Sequence, residues 1–251
     1  MKTSNKLLTG AFLLALVSLV AMAFYVKANI TIGERINVTG TGEIVKDRRD
    51  QSPFNEISVY SPFEVELVQS NDHFVEVEAY ENLQNAVVCD LKDGRLKVKF
   101  ESGTSVSTSK PVKLVIGAPE INKIKIRGSV DFTSTGKMTT DSLKLSVEGA
   151  SELSADIEAQ YLFIDAEASS DVKISGAANS VIVECSSAAS INGVNFTANT
   201  LNADIRDAAT VKMTVVDKLV ANVRNAGNIS YYGDPQTNIE TKNAGSATDL
   251  D

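Results

Sequence analysis

LKLSVEGASEL, from Leu143 to Leu153, is followed by LFIDAEASSDV (Leu162 to Val172), VIVECSSAASI (Val181 to Ile191), LNADIRDAATV (Leu201 to Val211) and LVANVRNAGNI (Leu219 to Ile229). The five segments superpose without gaps. Each runs apolar-x-apolar-x-apolar, then a polar residue, a short run of Gly, Ala, Ser, Asn or Asp, and a closing apolar residue. Weaker copies flank them at Ile124 to Phe132 and Ile239 to Ala247. The closing residues Phe132, Leu153, Val172, Ile191, Val211, Ile229 and Ala247 are separated by 21, 19, 19, 20, 18 and 18 positions.

A period of two is the strand period, and the 3.6-residue repeat of a helix is absent. A coil of roughly 19 residues is too short for a strand, a crossover helix (at least ~10 residues) and its loops. Consecutive copies must therefore stack through tight corners. The expected fold is all-β, a parallel β-helix or β-solenoid, right-handed by the default for parallel connections. Gly149, Gly227 and Gly245 are expected to supply positive φ at the corners, each beside or near a small Ala. In-register stacking predicts interior files: Ile124, Leu145, Ile164, Val183, Ala203, Ala221, Ile239 in one, and Ile126, Val147, Ala166, Cys185, Ile205, Val223, Thr241 in another.

The repeat covers residues 121–251. Residues 54–120 alternate without the strict period, carry an Asp93-Gly94 hairpin signal, and read as a β region capping the solenoid edge. Phe63 after Ser61-Pro62 resembles Leu153 after its corner, as in a degenerate first coil. Residues 28–53 read as a polar linker, and Asn243 to Asp251 as a second cap. Residues 1–27 carry Lys2, Lys6 and Lys27 and no acid, around the apolar stretch Leu7 to Val26. Twenty such residues rise ~30 Å, a bilayer core, so the segment reads as an uncleaved membrane anchor, or as a signal peptide with Ala21-Met22-Ala23 as cleavage site. Either exports the rest.

Ordered features from Phe54 onward add a resemblance. They are Phe54-Asn55-Glu56-Ile57-x-Val59, Phe63-Glu64-Val65-Glu66-Leu67, Ala79-x-Glu81-Asn82-Leu83, Asp93-Gly94-x-Leu96-x-Val98, Ala118-Pro119, the GAS-like corners, and Tyr231-Tyr232-Gly233-Asp234-Pro235. Together they resemble the auto-transporter adhesin head GIN domain family of Bacteroidetes-type bacteria, over residues 54–251 as one domain. The resemblance implies a β-helical fold and a location in the bacterial envelope, periplasmic or cell-surface. It brings no catalytic or ligand residues.

The residues themselves favour a non-enzymatic module. The formal net charge is -8, so no run of phosphates is neutralised and a nucleic-acid partner is not expected. His73 is the single histidine, in a Ser70-Asn71-Asp72-His73 strand connection, and no zinc spacing or phosphate loop occurs. No cofactor, metal or catalytic residue is expected. Cys89 and Cys185 read as small buried hydrophobes, with a disulfide between them as the alternative.

Two outward columns stand out. Asp165, Glu184, Asp204 and Glu240 stack as an acidic column with Asn222 among them. Ca²⁺ would relieve their repulsion, but no loop supplies about six oxygens, and Arg206, Arg224 and Lys242 are the preferred neutralisers. Beside them run Lys144, Phe163, Ile182, Asn202 and Val220. Phe163, Ile182 and Val220 are either covered by residues 54–120 or a corner loop, or they form a partner surface. The leading expectation is an exported binding or structural module for a protein or glycan. Its rivals are a polysaccharide lyase-like enzyme using Arg206 near Asp204, and a scaffold oligomerising through Phe163 and Ile182.

Overall fold

The computed structural model describes residues 17–20, 22, 36–60 and 62–251. Two compact units divide the chain, residues 1–36 and 37–251. In the first, Val17 to Val20 are helical; the rest of the anchor or signal segment and of its cleavage site lies outside the described residues. Among the described residues no helix is long and apolar enough to cross a membrane.

From Ile36 onward the chain is built mainly of strands. They are β1 (Ile36–Thr39), β2 (Ile44–Asp50), β3 (Glu56–Tyr60), β4 (Glu64–Gln69), β5 (Phe74–Tyr80), β6 (Val87–Lys92), β7 (Arg95–Phe100), β8 (Thr104–Ser107) and β9 (Lys113–Ala118). The repeat follows as β10 (Lys123–Gly128), β11 (Asp131–Gly149), β12 (Glu152–Ala168), β13 (Asp171–Cys185), β14 (Ser190–Arg206), β15 (Thr210–Arg224), β16 (Asn228–Tyr232), β17 (Gln236–Lys242) and β18 (Ser246–Asp249). Each long strand bends midway and serves two sheets, which enclose one apolar core. Sheet one holds β7, β3, β10, the C-terminal halves of β11 to β15, and β17. Sheet two holds β9, β4, the N-terminal halves of β11 to β15, β16 and β18.

Both interior files form as the sequence predicts. Ile124 pairs with Leu145, Leu145 with Ile164, Ile164 with Val183, Val183 with Ala203, Ala203 with Ala221 and Ala221 with Ile239. From Ile124 to Ala221 every member is buried. Volume is balanced across the core: the coils that place Ala203 and Ala221 in sheet one place fully buried Phe196 and Met213 in sheet two. Small residues on one wall thus leave room for large ones from the other, which keeps the interior dense.

Several expectations are corrected. Residues 54–120 do more than cap, because β3 and β4 form a full rung under β10 and β11, and β7 and β9 form another outside it. In the first of these Val65, not Phe63, stands under Phe132. Phe63 fills the corner file instead: its carbonyl accepts from Asp131 N, as that of Val130 does from Glu152 N. Antiparallel β6 closes sheet one, and antiparallel β5 and β2 close sheet two. The linker expected at 28–53 therefore contains two strands: β1, which pairs with β8 in a small separate sheet, and β2, whose alternating charges belong to a polar edge. Arg49 fastens β2, donating to the carbonyls of Val87 at 2.7 Å and Gln84 at 2.8 Å and pairing with Asp47 at 2.8 Å. At the opposite end, residues 243–251 are a turn and strand β18, a further half-rung.

The corners turn differently from the glycine expectation. Gly149 has φ 84° and Ala168 takes its place at the next corner with φ 65°, but at the four corners after that the left-handed residues are pairs: Ser187 and Ala188, Asp207 and Ala208, Asn225 and Ala226, Asn243 and Ala244. Each pair sits inside an i to i+3 hydrogen bond, as between Gly227 N and Arg224 O at 3.0 Å, the φ signature of a type I′ turn. Gly227 and Gly245 are needed for close approach, since a Cβ there would lie 2.8 Å from Ile205 O and 2.2 Å from Val223 O. A left-handed alanine costs about 1–2 kcal/mol. Stacking offsets it: Ala208 N donates to Asn225 O and Ala226 N to Asn243 O, both at 3.0 Å. A side-chain ladder adds Asn225 Nδ2 to Asp207 Oδ1 at 2.9 Å and Asn243 Nδ2 to Asn225 Oδ1 at 3.1 Å.

Both cysteines are free thiols. They occupy one file, Cys89 to Val98, Val59, Ile126, Val147, Ala166 and Cys185, so six rungs of ~4.8 Å separate them. A disulfide needs Cα atoms within about 7 Å, and this file excludes it. Burial pushes the Cys185 thiol up to about 12.

Ile164→Ala should lose about 2–5 kcal/mol in denaturant titration, whereas Ile182→Ala on the exposed face should stay within about 0.5. Ala226→Gly should gain roughly 1 kcal/mol and Gly227→Ala should lose stability; equal effects would contradict the turn assignment. A thiol reagent at pH 8 should leave Cys185 unmodified in the folded chain and react with it in denaturant, read by mass spectrometry.

Candidate functional site

Residues two apart on a strand project from the same side, so the outside of sheet one is a grid of rungs and columns. Asp165 pairs with Glu184, Glu184 with Asp204, Asp204 with Asn222 and Asn222 with Glu240. The neutralisation is partial. Arg224 Nη2 donates to Asp204 Oδ1 at 3.1 Å, Asn222 Nδ2 to Asp204 Oδ2 at 3.5 Å, and Lys242 meets Glu240 at 2.6 Å. Arg206 instead turns to Asp207 at 3.4 Å, so the cation beside Asp204 is Arg224. Asp165 and Glu184 have no cation within salt-bridge distance among the described residues. Burial, then the charges of Glu167 and Glu184, raise the Asp165 carboxyl above its ordinary value.

Asp165, Glu167, Glu184, Asp204, Arg206 and Arg224 line a depression of about 260 Å³. Among the described residues no group of three His, Cys, Asp or Glu side chains converges closely enough to hold a metal ion. His73 accepts from Phe54 N at 3.4 Å and packs edge-on against the Phe54 ring, a structural role at a strand connection.

The adjacent column runs Lys144, Phe163, Ile182, Asn202, Val220 in register. Lys144 Nζ lies 4.3 Å from the Phe163 ring centroid and shields it; Phe163 and Val220 are both half-buried. Ile182 is 44% exposed. Residues 54–120 do not cover this column, because they stack on the end of the solenoid instead of folding over its side. Sequence reasoning missed Tyr161, 62% exposed at the start of the same face on β12. Its signal was the shared odd numbering with Phe163 and Asp165.

It also missed the charge pattern along this face. The first four rungs of sheet one, β7, β3, β10 and the end of β11, point seven basic side chains outward against only Glu56 and Glu148. Glu56 binds Arg95 at 2.7 Å and Lys123 at 3.5 Å, and the Arg95 hydrogen bond lowers its carboxyl pKa. Glu148 binds Lys125 at 2.5 Å and Arg127 at 3.3 Å. Lys97 lies over the Tyr60 ring at 5.1 Å. The next three rungs reverse the sign, with Asp165, Glu167, Glu184 and Asp204 against Arg206 alone. Sheet two carries a second acidic file the sequence reading passed over, Glu64, Asp131, Glu152 and Asp171 in register. Lys113 and Lys173 approach it at 3.8 and 3.9 Å.

A putative adhesin from Bacteroides fragilis NCTC 9343 superposes with a TM-score of 0.79 at 21% identity, over 84% of this chain and 98% of that one. A putative adhesin from Parabacteroides distasonis ATCC 8503 gives 0.71 at 20%, over 85% and 100%. A putative lipid binding protein from the same strain gives 0.71 at 17%, over 86% and 100%. At these identities the likeness shows the shared fold alone. No curated protein matches the sequence significantly. The pattern of one family matches residues 53–235, most of the solenoid and its N-terminal rungs. The chain belongs to the family described as putative auto-transporter adhesin, head GIN domain.

Proposed function

We propose that this chain is an exported, envelope-located module that acts by surface contact and not by catalysis, presenting the outside of sheet one to a protein or glycan partner. The observation that carries this reading is the exposed Tyr161 and Ile182 beside a charged depression on a regular sheet face. Exposed apolar side chains rimmed by charge mark contact surfaces. The family's adhesin description and the adhesin-named structural neighbours support an extracellular or envelope location.

The depression argues against the lyase reading. A lyase acting on acidic polysaccharide must attract a polyanion and place a base beside its α-proton. Here four carboxylates outnumber two guanidinium groups, so the local field repels such a substrate.

The test is a glycan and surface-protein binding screen of the full-length chain in non-ionic detergent, run beside Tyr161→Asp and Ile182→Asp. Partners found for the parent chain should be lost in both variants, with melting temperatures unchanged. A partner that binds all three equally would place binding elsewhere, and polysaccharide cleavage abolished by Arg224→Ala would overturn the non-catalytic reading. N-terminal sequencing of the exported chain should read from Met1 if the apolar segment stays as an anchor; a start at Phe24 would make it a cleaved signal peptide.

A further inference from the structure

We propose that the outside of sheet one is a self-complementary interface, through which two copies of this chain pair face to face about a two-fold axis. The inference rests on the reading of sheet one as a contact face and names its partner. The seven rungs from β7 to β14 carry a bipolar field, which ends where Lys218 and Arg224 stand on β15. A partner of one charge sign is attracted by one end of the face and repelled by the other. A partner with the same two bands in reverse order satisfies both, and a second copy turned end over end has that order. An isologous interface requires a patch to be its own complement, and two opposite bands meet that condition.

The register makes the pairing specific. Put the axis parallel to the strands, over the rung that carries Lys144 and Glu148. The rung of Lys123, Lys125 and Arg127 then faces the rung of Phe163, Asp165 and Glu167, because each is one step from the axis. Lys125 falls opposite the partner's Asp165, in the same column, and Arg127 opposite the partner's Glu167. Three steps from the axis, the rung of Lys97 faces the rung of Asp204. Asp165 thereby gains the cation it lacks within its own chain. Lys123 comes over the partner's Phe163, and Ile182 leaves water opposite the partner's Glu56. On the axis, where like residues meet, Lys144 stays over its own Phe163 ring and Glu148 stays with its own Lys125 and Arg127.

The size is adequate. Seven rungs at ~4.8 Å and strands of six residues at ~3.3 Å make a face of about 34 by 20 Å. That is roughly 650 Å² per copy, near the lower end of the range for stable interfaces.

The experiment is sedimentation velocity on the full-length chain in non-ionic detergent, which keeps the apolar segment 7–26 from associating by itself. The parent chain should be dimeric at low salt and dissociate as salt rises. Asp165→Lys and Lys125→Glu should each weaken the dimer at least tenfold, and the double reversal should restore it. Should Lys125→Glu fail to fold by circular dichroism, Lys97→Glu, which breaks no ion pair within the chain, should weaken the dimer in its place, with Asp204→Lys as the restoring reversal. Lys144→Cys sits on the axis, and a bis-maleimide that spans about 10 Å should link it into a covalent dimer, while Lys173→Cys on sheet two should not be linked. A parent chain that stays monomeric, or a double reversal that restores nothing, overturns the proposal. If it stays monomeric while Ile182→Asp still abolishes a glycan or protein interaction, the contact-face reading stands without it. If Ile182→Asp changes neither, both fail.

Discussion

The solenoid depends throughout on backbone hydrogen bonding between parallel rungs that keeps equivalent positions of successive coils in contact. One coil of about 19 residues cannot enclose a core by itself. Stacked, its two apolar walls become continuous, and each rung hides the polar edge of the one before. The same register that lines up Ile124, Leu145, Ile164 and Val183 inside lines up Asp165, Glu184 and Asp204 outside. Core and surface are thus two readings of one constraint, and a slip of one residue would exchange them.

That constraint explains how much of the architecture was legible in the chain. The interior files from Ile124 to Ile239 could be written from residue spacing because each rung repeats the same alternation. The rungs of β3 with β4 and of β7 with β9 were hidden for a topological reason. The chain leaves β4, builds the antiparallel cap, returns through β7 and β9, and only then passes over β3 to β10, so their spacing carries no period. Ser61-Pro62 resembled a corner, and the resemblance misplaced Val65 by two positions. Strand β2 was hidden because its anchor is one side chain, Arg49, reaching backbone carbonyls.

The site was legible by column but not by field. Phe163, Ile182, Val220 and the acidic file were found because stacking makes columns. Tyr161 was missed because it precedes the apolar-x-apolar core of its repeat. The basic band was missed because three of its four rungs lie outside the strict repeat or at its weak first copy. Corners show the same limit: Asn225-Ala226 reads as a departure from glycine, yet the asparagines form a ladder that holds left-handed alanines in place.

The most direct measurement of the stacking itself is a series of spin-label distances along one outward column, in chain diluted with unlabelled protein. One label at Asn238 is paired in turn with labels at Asn202, Ile182, Lys144 and Lys123, which lie two, three, five and six rungs away. The separation should grow by about 5 Å per rung, reaching about 29 Å at Lys123. Distances that fail to rise with rung number, or that follow position in the sequence at the reach of an extended chain, would contradict the account.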